Sequence, residues 1–217
     1  YAAQCRNERA ACFAEDFCRA PGLCRGVIFS MRRKKTLYFF ARFRYTGTNG
    51  RKRSFMIFDT HAHYTSHRFD SDRHALLQSL PQKGVAGVVD CAVDFATSRE
   101  ELALAEKYPY VYAALGIHPE SIIEEDASTR LEFGGDWRAE LRAIRPLYEH
   151  PKAVAVGECG LDYHWPIPKE EQQALFEAEI RCALELEKPI IVHDREAHAD
   201  VYSLLKRYAP KGVLHCY

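Results

Sequence analysis

The stretch that decides the fold is AVAVGECGLD, residues 153–162. It is short, mostly apolar and without alternation, which is typical of a strand buried on both faces of a parallel sheet. Two carboxylates, Glu158 and Asp162, lie toward its C-terminal end. Buried polar groups are costly unless they pair or bind something. The stretch therefore predicts a parallel strand that ends in a functional site.

Five further stretches have the same character and alternate with predicted helices. We predict strands at MIFDTHAH (56–63), VAGVVDCAV (85–93), YVYAALGIHP (110–119), PIIVHD (189–194) and GVLHC (212–216), and helices at 70–83, 97–108, 128–149, 168–187 and 197–209. Thr97 and Ser98, followed by glutamates, predict a capping-box start for the second helix. Repeated β–α units allow an open doubly wound sheet or a (β/α)8 TIM barrel. No glycine-rich phosphate loop follows the first strand, which disfavours a nucleotide-binding fold.

Titratable residues follow nearly every predicted strand. They are Asp59, His61 and His63, then Asp90, His118, Glu158 with Asp162, His193 with Asp194, and His215. In a parallel barrel the C-terminal strand ends meet at one mouth, where catalytic residues lie. Histidine and carboxylate ligands suit zinc, manganese or similar ions, and an H-x-H pair on an extended chain faces one side. The pattern favours a barrel with a metal centre in which Glu158 could bridge two ions.

The other histidines and cysteines are predicted to have lesser roles. We expect His67, His74 and His150 to be solvent-exposed, His164 and His198 to lie one step beyond the strands and touch substrate or nothing, and Cys159 and Cys216 to be packing residues.

Charge divides the chain into two segments. Residues 1–55 hold 13 of the 30 basic residues and 3 of the 30 acidic ones, so their net charge is +10 and that of residues 56–217 is −10. We expect 1–55 to be a basic extension that is non-native or disordered, with Met56 as the natural start. A nucleic-acid-binding arm, an organellar transit segment and a native extension remain alternatives.

Composition also limits location and partners. No apolar run approaches the roughly 18 residues that span a membrane. The cysteines of residues 1–24 lack the close pairs of a zinc module, and we see no signal peptide, so we expect reduced thiols in a cytoplasmic protein. No stable protein partner is evident.

Five motifs together resemble the TatD family of metal-dependent hydrolases. They are FDTHAH (58–63), ALGIHPE (114–120), AVGECGLDY (155–163), KPIIVHDREAH (188–198) and LHCY (214–217). The resemblance covers nearly all of 56–217. It implies a TIM barrel of the amidohydrolase-like type and, since known members are mainly deoxyribonucleases, cleavage of DNA phosphodiester bonds through metal-activated water, with a DNA strand end as substrate.

The resemblance also implies residue roles. His61 and His63 would bind the first of two divalent ions (Mg, Mn or Zn), Glu158 would bridge, and His193 and His215 would bind the second. His118 and Glu158 would be the catalytic residues, and His118 would contact the scissile phosphate. Arg195 would neutralise phosphate, and His164 is a further candidate for substrate contact.

One part of the family pattern is absent from these residues. Relatives continue beyond the His-Cys-aromatic motif to a Thr-Asp-x-Pro-like motif whose Asp binds metal and can act as general base. We therefore expect 56–217 to be an incomplete barrel of about six of eight strands, truncated before strands 7 and 8 and with two open edges. The alternatives to a deoxyribonuclease are a metal-dependent amidohydrolase or esterase acting on a small molecule, and an inactive fragment.

Overall fold

The computed structural model of the protein describes residues 26–33, 36–44 and 55–215, with side chains from residue 57 onward. Its strands are β1 (Gly26–Arg33), β2 (Thr36–Arg44), β3 (Phe55–Ala62), β4 (Val85–Cys91), β5 (Val111–Leu115), β6 (Ala153–Asp162), β7 (Ile190–Arg195) and β8 (Gly212–His215). Its helices are α1 (Arg73–Ser79), α2 (Phe95–Lys107), α3 (Ser128–Leu131), α4 (Trp137–Ile144), α5 (Lys169–Glu185) and α6 (His198–Tyr208). Short 3-10 turns cover His67–Phe69, Pro81–Lys83, Pro119–Ile122 and Arg145–Glu149.

The strands form one sheet in sequence order. β3 to β8 run parallel, each paired with the next, and the helices connect them. The six predicted strands and the barrel class are confirmed. The AVAVGECGLD stretch forms β6 with the predicted bounds.

Two antiparallel strands were not predicted. β1 pairs with β2, and β2 pairs antiparallel with β3, so the edge of β3 that we expected to be open is covered. β2 also approaches β8, which leaves the sheet nearly closed. The prediction that residues 1–55 are non-native or disordered stays a prediction. The residues of this segment other than β1, β2 and Phe55 lie outside the described part of the chain, as does Cys216.

The strands are apolar on both faces because each face is buried against something different. Val89, Ala114 and Ile191 pack together in one cluster, on the inner face of the sheet. The residues next to them in the chain, such as Val88 and Val192, pack in separate clusters with the helices. Because side chains alternate along a strand, His193 lies on the same face as Ile191. The pleat therefore directs this histidine into the barrel mouth.

Helix α5 shows how the outer layer is held. Leu175, Phe176, Ile180 and Ala183 recur at helical spacing and are fully buried. Burying a side chain such as Phe176 contributes about 1.5–3 kcal/mol. The helix thereby fixes the outer face of the sheet behind the site.

The predicted helix 128–149 is divided into α3 and α4, followed by a 3-10 turn. The predicted start of helix α2 is also wrong. Helix α2 begins after Asp94, whose side chain accepts from the Thr97 backbone N–H at 2.8 Å while the Thr97 hydroxyl contacts the Asp94 N–H. The capping box is present, but Asp94 and not Thr97 is its N-cap. Among the described residues, no helix combines the length and apolar character needed to cross a membrane.

Candidate metal centre

Glu158 lies at the centre of the barrel mouth and is 2% exposed. One carboxylate oxygen, Oε2, is 2.8 Å from His61 Nε2 and 3.1 Å from His63 Nε2. The other, Oε1, is 2.9 Å from His193 Nδ1. Burial favours the protonated carboxyl, but the imidazoles of His61, His193 and His63 outweigh it and hold the pKa of Glu158 well below its usual value.

Two more histidines face the same carboxylate at longer distance. His215 Nε2 lies 3.8 Å and His118 Nε2 lies 4.0 Å from Glu158 Oε1. The rings of His61 and His215 stack with centroids 3.5 Å apart. Burial lowers the pKa of both His118 and His215 to about 3, so both are neutral at pH 7. The structure thus places all five predicted histidines around the predicted glutamate.

The donor atoms form two groups that could each hold a divalent ion. His61, His63 and Glu158 make one, and His118, Glu158 and His193 make the other. Glu158 belongs to both, since its two oxygens face different histidines. Imidazole and carboxylate donors in this arrangement suit zinc or manganese. The second group contains His118 in place of the predicted His215.

The partner of the second ring nitrogen separates these histidines chemically. His63 Nδ1 lies 2.8 Å from the Cys91 carbonyl, which can only accept, so Nδ1 carries a proton and, in the neutral ring, the Nε2 lone pair faces Glu158. His193 Nε2 lies 2.9 Å from Asp162 Oδ2, which leaves Nδ1 as the atom toward Glu158. Metal-ligating histidines usually donate their other N–H in this way.

His118 has the opposite arrangement. The backbone N–H of Glu120 donates to His118 Nδ1 at 3.2 Å, so the neutral ring carries its proton on Nε2, the atom toward Glu158. His118 does not lie at the strand end itself but three residues beyond β5, where it caps the turn Pro119–Ile122. Its geometry suits a hydrogen-bond donor.

The loop after β3 is held by two buried acids. Asp90 Oδ1 accepts from the Tyr64 backbone N–H at 2.7 Å, and Glu101 Oε1 accepts from the Thr65 hydroxyl at 2.6 Å. Burial raises the pKa of Glu101 well above its usual value. These contacts fix the chain directly after the H-x-H pair.

Arg195 and His164 lie at the outer edge of the mouth. The Arg195 side chain is 38% exposed and its guanidinium is 3.8 Å from Asp162 Oδ2. His164 is exposed and its ring lies 3.3 Å from Glu196 Oε1. Both lie near the barrel mouth, where substrate contacts are predicted, and neither forms a described hydrogen bond with Glu158.

The remaining histidines and cysteines mostly follow expectation. His67 and His74 are exposed, whereas His150 is half-buried and pairs with Glu106, so that prediction is wrong. Cys159 is fully buried, and burial raises the pKa of its thiol well above the usual value, as fits a packing residue.

The sequence model of the TatD related DNase family matches residues 58–217. The chain belongs to the TatD family. A metal-dependent hydrolase of Bacillus subtilis, YabD, described as uncharacterized, is 36% identical over 169 residues, covering 75% of this chain and 61% of YabD. The 3'-5' ssDNA/RNA exonuclease TatD of Erwinia tasmaniensis is 35% identical over 167 residues, covering 74% of this chain and 60% of that protein.

Solved TatD structures agree with the fold. The crystal structure of the TatD homolog YJJV from Escherichia coli K12 superposes with a TM-score of 0.58 at 33% identity, covering 69% of this chain and 54% of that one. A TatD family hydrolase from Entamoeba histolytica gives a TM-score of 0.57 at 22% identity, over 73% of this chain and 57% of its own, and supports the fold alone. The chain spans about three fifths of the length of the curated relatives it matches.

Proposed function

We propose that the full-length protein is a divalent-metal-dependent phosphodiesterase that hydrolyses DNA. The observation that carries the proposal is the shared position of Glu158, with one oxygen toward His61 and His63 and the other toward His193. A TatD relative named as a 3'-5' ssDNA/RNA exonuclease supports the substrate class. RNA is a second candidate on the same ground.

We assign His61 and His63 to one ion, Glu158 to both, and His193 with His215 to the other. When bound, two such ions supply Lewis acidity and an activated water for displacement at phosphorus. The second nitrogens of His63 and His193 are held by acceptors, which favours the ligating tautomer of each ring.

The remaining polar residues act on the substrate in this proposal. His118 is neutral and carries its proton on Nε2, so it donates to a phosphate oxygen next to Glu158. Arg195 offers an exposed guanidinium fork to a second phosphate. His164 lies beside it as a weaker substrate contact.

A cytoplasmic location also stays a prediction.

The test is a nuclease assay on purified full-length protein. End-labelled single-stranded DNA and RNA would be incubated with Mg, Mn or Zn, and with a panel of small esters and amides. We expect metal-dependent cleavage of DNA that is lost in Glu158→Gln and retained in His67→Gln, which removes an exposed imidazole that belongs to neither candidate metal group. Hydrolysis of esters or amides alone would contradict the proposal.

A further inference from the structure

Trp165 is a large aromatic side chain that the proposed chemistry does not use. It lies in the loop that follows β6 and is 41% exposed. An indole that is not packed into the core and stands beside a polar site is a common element of ligand recognition.

The ring is held in place through its polar edge. Indole Nε1 donates to Glu120 Oε1 at 2.6 Å, and the His164 and Trp165 rings lie nearly perpendicular, with centroids 5.0 Å apart. The Arg195 guanidinium carbon lies over the ring, 5.9 Å from its centroid. The hydrogen bond satisfies the only donor of the side chain, so the exposed surface that remains is the π system.

Two residues that contact the Trp165 indole also lie close in the chain to histidines of the candidate metal centre. Glu120, which anchors the indole, is two residues beyond His118 and donates its own N–H to that ring. Arg195, which lies over the indole, is two residues beyond His193. Trp165 is thus fixed between the residues that follow two of the five histidines.

We propose that Trp165 is a stacking platform for an unpaired nucleobase, next to the phosphate that Arg195 contacts. This inference rests on the proposed function and narrows its substrate to single-stranded nucleic acid, because a base within a duplex is already stacked. Aromatic stacking accepts every base, so the contact confers affinity without sequence preference. It also suits a mouth in which Glu120 and Glu196 leave little excess positive charge.

Binding can be measured without cleavage through tryptophan fluorescence. The chain has two tryptophans, and the other one, Trp137, is 3% exposed. Trp137→Phe therefore leaves Trp165 as the sole indole, and wild-type protein provides a second reading if that variant is unstable. Protein in EDTA would be titrated with a single-stranded oligonucleotide and with the same oligonucleotide made abasic.

We expect saturable quenching by the base-bearing strand and little by the abasic strand. Because Trp165→Ala and Trp165→Phe lack the reporting indole, their binding and that of the wild type are compared by fluorescence anisotropy of a dye-labelled strand. Trp165→Ala should weaken binding of the base-bearing strand about 5- to 150-fold, and Trp165→Phe much less, since stacking on a ring is retained. Both variants should bind the abasic strand like the wild type. Tyr202→Ala, which removes a 69% exposed aromatic side chain on α6, should change neither affinity.

The outcomes separate this inference from the proposed function. If the protein cleaves DNA with metal but Trp165→Ala binds both strands like the wild type, the stacking site is wrong and the nuclease stands. If no metal gives cleavage but base-dependent quenching persists, the stacking site stands and the proposed reaction is wrong.

Discussion

Asp162→Asn tests how the structure prepares His193 for its proposed role. Asp162 is fully buried, and its Oδ2 faces His193 Nε2 at 2.9 Å while Oδ1 accepts from the His164 backbone N–H. Asparagine keeps the shape and the contact with His164, so its amide N–H must point at His193. Neutral His193 would then carry its proton on Nδ1, the atom that faces Glu158.

The size of the effect follows from the charge on His193. Burial lowers the pKa of His193, but the hydrogen bonds to Asp162 and Glu158 raise it by more. The net result is a pKa of about 9 instead of 6.5. A difference of about 2.5 in pKa corresponds to about 3.4 kcal/mol. Both carboxylates lie at 2.9 Å, and the burial that lowers the pKa remains in the variant. Removing Asp162 should therefore cost at least about half of this energy, or roughly 1.7 kcal/mol.

The sign of the pH dependence is set by the raised pKa. A histidine whose pKa is higher in the folded state stabilises the fold below its unfolded pKa, and that contribution is lost as pH rises through about 9. In EDTA at about pH 6 we expect Asp162→Asn to lower the free energy of unfolding by at least about 1.7 kcal/mol. The deficit should shrink near pH 10.

Urea unfolding followed by circular dichroism measures this deficit, and a metal-binding titration gives the second readout. Affinity for Zn or Mn should fall about 10- to 100-fold, as for other residues that orient metal ligands. Asp126→Asn, which removes the same charge from an exposed position, should change neither. A deficit of equal size at both pH values would refute the charge on His193, and unchanged metal affinity would refute the tautomer argument.

Three other variants test neighbouring parts of the fold and site. Gly160 has a φ of +140°, and Gly160→Ala would place a Cβ 2.1 Å from the His193 carbonyl oxygen. Thermal melting should therefore show that the free energy of unfolding falls by about 2–5 kcal/mol. Glu179 is fully buried and accepts from the Ile117 N–H, and burial raises its pKa well above the usual value. The folded state therefore holds a proton that the unfolded state releases, so stability falls as pH rises, and Glu179→Gln should be more stable than wild type near pH 9 but not near pH 5. Arg195→Ala should raise KM for nucleic acid about tenfold or more with little change in melting temperature, and Arg195→Lys should recover only part of it.

Much of the barrel could be predicted because its strands are apolar on both faces. The β6 strand has the predicted bounds, and the pairing order follows from the alternation of strands and helices. Strands β1 and β2 could not be predicted in the same way. Their sequences mix basic and aromatic residues without a period of two. Only the pairing of β1 with β2 and of β2 with β3 makes them part of the sheet.

The composition of the site was predictable for a related reason. Parallel strands bring their C-terminal ends together, so His61, His63, Glu158 and His193 could be expected at one mouth from their strand-end positions alone. The Cys91 carbonyl that holds His63 could not, because a backbone acceptor has no residue-type signature. The cap formed by His118 had a signal in the following proline and glutamate, since proline favours the first position of a helical turn.

What the sequence could not supply is the difference between one histidine and another. All five lie at or shortly beyond the C-terminal part of a parallel strand, yet two have an acceptor behind the ring and one has a donor. When the ring is neutral, an acceptor behind it leaves a lone pair facing Glu158, whereas a donor leaves an N–H facing it, and only a lone pair can bind a cation. The groups that make this choice are Cys91 at the end of β4, Asp162 at the end of β6 and Glu120 in the turn after β5. Ligand and substrate donor are therefore distinguished by contacts that exist only once the barrel has formed.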